Sequence, residues 1–272
     1  MRQHHSSQAD KIHSTGGNPT ENIKSAQDGI QSLRFYGPCS RNDCEIQEYE
    51  QVRMTSARWY PSVTTLTDGS ILITGGITAG QFNGAPSVNN PTHEYWPPKA
   101  IQNGQAIYSP FLSAALNTNT FPFTALLPDG NVFMAANLLA IIYSPTTNTQ
   151  RSLPGIPNGV RINYPSTAAS CLLPLTRANG WTPEVFFCGG STANVDGDPV
   201  RALPPQRYFS KLTRRLQWLL SSQTPASTQC IRMVLNEAGI ARGWDIEQAP
   251  HPMVMAQAVL SPEGKVSSHL LQ

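Results

Sequence analysis

A short unit recurs along this chain: a β-rich run, an Asp-Gly turn, a second β-rich run and a glycine pair. Its clearest copy is ARWYPSVTTLTDGSILITGG, residues 57–76. Pro61–Leu66 is rich in β-branched residues, Asp68-Gly69 is a strong turn signal, and Ser70–Thr74 resumes the strand. Gly75-Gly76 then permits positive φ or close backbone approach. A second copy runs from Phe121 through Pro128-Asp129-Gly130 to Ala135, followed by Ala140–Tyr143 and a polar turn at 144–149. A third spans Tyr164–Leu175 and Glu184–Gly190, and a damaged fourth has Ala256–Leu260 with a turn at Pro262-Glu263-Gly264. Spacings of about 40–60 residues suit the blades of a kelch-type β-propeller with loop insertions. A β-sandwich with scattered hairpins is the alternative, but it does not need this repeated order.

Composition agrees with short strands and many turns: 20 glycines, 23 prolines and 13% charged residues among 272. A net charge of +2 gives no electrostatic case for nucleic acid. No apolar run is long enough to span a bilayer as a helix. The first ten residues, MRQHHSSQAD, lack the apolar segment of a secretory signal, so taken literally the product starts in the cytosol. The cysteines point the other way. Cys39 and Cys44 bracket a polar loop, and Cys188, after a strand, can pair with Cys230, before the strand Ile231–Leu235. Such pairs would staple loops of an extracellular protein. Cys171, inside an apolar run, reads as a buried free thiol. A Cys-x4-Cys metal site at Cys39 and Cys44 is the alternative, but it lacks a second ligand pair nearby.

In Ala57–Gly76 the chain resembles fungal glyoxal oxidases, secreted copper radical oxidases of the galactose-oxidase kind. The resemblance covers most of residues 14–195 and resumes at about 226–264. It is carried by Thr15–Pro19, Gly29–Gln31, Pro38-Cys39 with Cys44, Arg58–Val63, Leu127–Gly130, Ile156–Arg161, Pro183–Val185 and Cys188–Thr192. It implies an incomplete galactose-oxidase-like propeller of about four blades. It also implies oxidation of a small aldehyde, such as glyoxal or methylglyoxal, to the carboxylic acid, with O2 reduced to hydrogen peroxide. Copper accepts one electron and the substrate gives two, so the family adds a tyrosine cross-linked to a cysteine as a second redox group. A second tyrosine and two histidines complete its N and O donor set.

By the resemblance, Tyr60 in Arg58-Trp59-Tyr60-Pro61 takes the position of the radical tyrosine and copper ligand. The cross-linking cysteine should precede Thr15-Gly16-Gly17, where residues 1–14 contain no cysteine. The other tyrosine and first histidine form a Tyr-His dipeptide, which these 272 residues lack. Cys39 and Cys44 match the family's disulfide loop, and Ala226–Cys230 matches the end of the loop that carries its second pair.

The expected organisation is therefore a disordered start at 1–14, then a partial N-terminal propeller domain at 15–272 with an atypical insertion at about 195–224. The insertion, with a basic amphipathic stretch at Val200–Leu220, reads as a surface loop or translated non-coding sequence, and otherwise as a helix for a membrane surface or partner. His4, His5 and His13 fall in the polar start, while His93, His251 and His269 have no ligand partner in sequence. The expectation is a chain truncated at both ends that binds no copper tightly and is inactive. A non-catalytic propeller binding a polysaccharide or protein partner is the alternative.

Overall fold

The computed structural model describes residues 12–16, 29–37, 44–78, 87–116, 120–164, 166–193, 226–261 and 264–270. Five antiparallel sheets follow one another in chain order. The first joins β1 (Ile12–Thr15), β2 (Ser32–Tyr36) and β3 (Ile46–Arg53). The second is β4 (Ser62–Thr65), β5 (Ile71–Thr74), β6 (Thr92–Trp96) and β7 (Ile107–Tyr108). The third is β8 (Phe123–Leu126), β9 (Val132–Ala136), β10 (Leu139–Ser144) and β11 (Thr149–Ser152). The fourth is β12 (Ala168–Leu172), β13 (Glu184–Gly189), β14 (Ser227–Val234) and β15 (Asp245–Met253). A hairpin, β16 (Ala256–Leu260) with β17 (Val266–Leu270), is the fifth. Among the described residues, two short α-helices, α1 (Pro110–Ala114) and α2 (Glu237–Arg242), decorate the connections.

Each four-stranded sheet is a meander, and the first strands of successive sheets lie side by side, β4 by β8, β8 by β12 and β12 by β16. Hydrogen bonds from Ser62 Oγ to Pro122 O and between the Thr64 and Thr124 hydroxyls, both 2.6 Å, tie two of these strands together. The fold is nearly all-β, with four-stranded meanders laid first strand to first strand, the order that successive propeller blades need.

The apolar runs are explained by period-two burial on both faces of the middle strands. In β9, Val132, Met134 and Ala136 enter the core shared with the second sheet, while Phe133 and Ala135 enter the core shared with the fourth. In β5, Leu72 faces the third sheet and Ile71 and Ile73 face the first. The turns repeat as faithfully. Leu66 N donates to Ser70 O and Leu127 N to Asn131 O, both at 2.8 Å, and the damaged copy does the same from Ser261 N to Lys265 O at 2.8 Å.

Residues Ile12–Ser14, assigned from sequence to a disordered start, instead form β1 with Thr15 and pair with β2. The rest of that start, with His4 and His5, lies outside the described residues, as does the insertion at 195–224. Among the described residues, no helix is long and apolar enough to cross a membrane.

Candidate active-site face

Arg58, Trp59 and Tyr60 lead into β4, and each is fixed differently. Arg58 is fully buried, at 0% exposure. Its Nε donates to Glu94 Oε1 at 2.7 Å, and one terminal nitrogen donates to the carbonyls of Gly75 and Thr92, both at 2.8 Å. Glu94 also accepts from Thr55 N at 2.6 Å and from Ser56 Oγ at 3.0 Å. Burial pushes the Glu94 carboxyl up, but the Arg58 charge and the Thr55 hydrogen bonds outweigh it and hold it below the usual carboxylate range. Trp59 forms a two-way bridge with Ile77, N to O at 2.7 Å and 2.9 Å, just past the glycine pair. That approach requires glycine: a Cβ on Gly76, at φ +95°, would lie 2.8 Å from Trp59 O.

Tyr60 itself has a φ of 60°, unusual for a bulky residue. Its ring stacks on Trp59 at 4.5 Å and on Phe121 at 4.7 Å, and meets Tyr164 edge-on at 5.2 Å. Burial, and secondly the neighbouring Tyr60 phenol, push the Tyr164 hydroxyl up to about 12. Sequence reasoning missed Tyr164 and Phe121 as members of this group. The available signal was an aromatic-proline step before three successive first strands: Tyr60-Pro61, Phe121-Pro122 and Tyr164-Pro165.

The other candidates lie elsewhere. His93, on β6, is 3% exposed and its Nε2 is 2.8 Å from the Tyr143 hydroxyl. Burial, and secondly the Arg58 charge, lower its pKa to about 4. His251 is exposed on β15, and His13 and His269 fall on β1 and β17. Cys188 and Cys230 form a disulfide, but not between loops. They are directly opposite residues of β13 and β14, with Cα atoms 3.9 Å apart, because β14 begins at Ser227, before Cys230. Cys44 is also disulfide-bonded, while Cys39 lies outside the described residues. Cys171 is a free, half-buried thiol that burial pushes up to about 11.

Among the described residues, no three His, Cys, Asp or Glu side chains converge as metal ligands. The rings seen against Tyr60 are Trp59, Phe121 and Tyr164. Copper(II) wants several N and O donors, so these described residues supply a phenol pair rather than a copper set, and they do not fit the ion.

A family model described as "Glyoxal oxidase N-terminus" matches residues 15–268. The chain is 29% identical over 244 residues to "Aldehyde oxidase GLOX" of Vitis pseudoreticulata, covering 88% of this chain and 39% of that protein. It is 29% identical over 251 residues to "Aldehyde oxidase GLOX1" of Arabidopsis thaliana, covering 88% and 35%. Its fold is similar to that of a solved "Novel fungal alcohol oxidase with catalytic diversity among the AA5 family, in complex with copper". That match has a TM-score of 0.56 at 13% identity and covers 94% of this chain and 44% of the other. The chain thus spans less than half the length of these relatives. With the family model running across nearly all of it, this chain belongs to the glyoxal oxidase N-terminal family of copper radical oxidases.

Proposed function

We propose that this chain is the propeller portion of an oxidase that converts a small aldehyde such as glyoxal or methylglyoxal to its acid, and that Tyr60 is its redox phenol. The balanced reaction is RCHO + H2O + O2 → RCOOH + H2O2. The observation that carries the reading is Tyr60 itself, packed between rings at the entry to a first strand and met edge-on by a second phenol. The residues of the chain have separable tasks. Arg58 and Glu94 anchor the segment, Trp59 and Phe121 cover the ring, and Tyr60 presents the oxygen. The Cys188–Cys230 disulfide and the disulfide-bonded Cys44 support an oxidising, extracellular setting.

The described residues put no imidazole against Tyr60, so the chain by itself is proposed to be inactive. The test is the purified chain given copper in air with glyoxal or methylglyoxal, with peroxide as readout and Tyr60→Phe as control. The expected result is no peroxide above the control. Peroxide that vanishes in the Y60F variant would confirm the chemistry and overturn the proposed inactivity. Peroxide that persists in Y60F would overturn the role of Tyr60.

A further inference from the structure

Tyr60 is flanked by a second phenol to which no role has yet been given. Tyr164 comes from the segment entering the fourth sheet, and Tyr60 from the one entering the second, so their contact spans the sheet between. The contact is framed by backbone. Phe121 N donates to Tyr60 O at 2.9 Å, and Asn163 Nδ2 donates to Phe121 O at 2.8 Å. Asn163, 2% exposed, is held in turn by Asn137 N, which donates to its Oδ1 at 2.8 Å. Thr120 Oγ1 donates to Tyr164 O at 3.3 Å. These bonds hold the backbones that carry the two tyrosines, whose rings meet edge-on with centroids 5.2 Å apart.

We infer that Tyr164 is a positioning residue for Tyr60, its hydroxyl being the fixed hydrogen-bond donor to the Tyr60 oxygen once that phenol is oxidised; this rests on the reading of Tyr60 as the redox phenol. When a one-electron oxidant takes an electron from Tyr60, the phenolic proton leaves to water. The neutral phenoxyl oxygen that remains can only accept a hydrogen bond. Phe121, stacked on the ring, has no donor to give. Tyr164 keeps its own proton, changes no bond, and holds the radical oxygen in one orientation.

The test needs no copper. The purified chain is oxidised by flash-generated tris(bipyridine)ruthenium(III), freeze-trapped, and read by electron paramagnetic and electron–nuclear double resonance in H2O and D2O. The expected result is a tyrosyl radical lost in Y60F and carrying an exchangeable proton coupling. Tyr164→Phe keeps the edge-on ring, so the radical should persist and the coupling disappear. A merely structural Tyr164 would leave the coupling in place. A coupling that survives in Y164F, or a radical that survives in Y60F, overturns the inference. If Y164F fails to fold, the wild-type comparison still decides, since a radical without an exchangeable coupling overturns it too. The peroxide assay is independent. No turnover from any form of the enzyme, with the coupling intact, removes the oxidase reading alone.

Discussion

Arg58 and Glu94 form a buried ion pair, Nε to Oε1 2.7 Å apart, with side-chain exposures of 0% and 3%, two residues before Tyr60. Taking such charges out of water costs several kcal/mol per ion, and only a complete set of partners offsets it. The pair fixes the start of the segment on which the candidate site stands.

Replacing Glu94 with Ala should therefore cost about 3–5 kcal/mol, because it strands a buried guanidinium. Urea denaturation at neutral pH measures the loss. Near-UV circular dichroism should also change, as Trp59 and Tyr60 lose their fixed setting. A cost below about 1 kcal/mol would mean that the Gly75 and Thr92 carbonyls satisfy Arg58 unaided.

His93 sets an acid limit on stability. Its pKa falls from 6.5 to about 4 on folding, chiefly by burial and then by the Arg58 charge, so the unfolded chain binds the proton first. The groups facing it are Tyr143, Tyr95 and Arg58. Stability is thus fully present above about pH 6.5, declines as pH falls towards 4, and changes no further below, a loss of about 3 kcal/mol. Urea midpoints from pH 7 to 4 should follow that curve, and His93→Gln should flatten it.

The glycine pairs should not tolerate a side chain. A Cβ on Gly190, at φ +96°, would sit 2.3 Å from Arg161 O. Gly190→Ala combines that clash with backbone strain and should cost about 3 kcal/mol or more, read as a lowered melting temperature. Gly159, also at positive φ but with nothing within 4 Å of its Cβ, is the control. Its alanine variant should lose only about 1 kcal/mol.

The Cys188–Cys230 disulfide closes a loop with a sequence separation of 42. Chain-entropy reasoning gives it about 4 kcal/mol of stabilisation. The double variant C188S/C230S should lose up to that much in urea. A loss near zero would mean that the unfolded chain without the bond already keeps these two segments close.

The strands and turns were legible because their signals are local. Thr64 and Thr65, Asp68-Gly69 and Ile71–Ile73 lie within a few residues of one another. Even the damaged copy kept its turn, since Ser261 and Lys265 pair through backbone alone. Tyr60 was legible by position, at the entry to a first strand. Its surroundings were not. Phe121 and Tyr164 reach it only because successive first strands lie side by side, across 61 and 104 positions of sequence. Glu94 neutralises Arg58 from 36 positions away, and nothing near either residue announces the pair. Cys230 was placed ahead of its strand because the polar Ser227–Gln229 masks where that strand begins.

The Asp-Gly turns and the aromatic-proline steps sit at opposite ends of the same short first strands. Growth or shrinkage of a connection at the turn end is therefore separated from the phenols by the full length of a strand. Such an architecture can vary one rim of the molecule while keeping the other chemically constant.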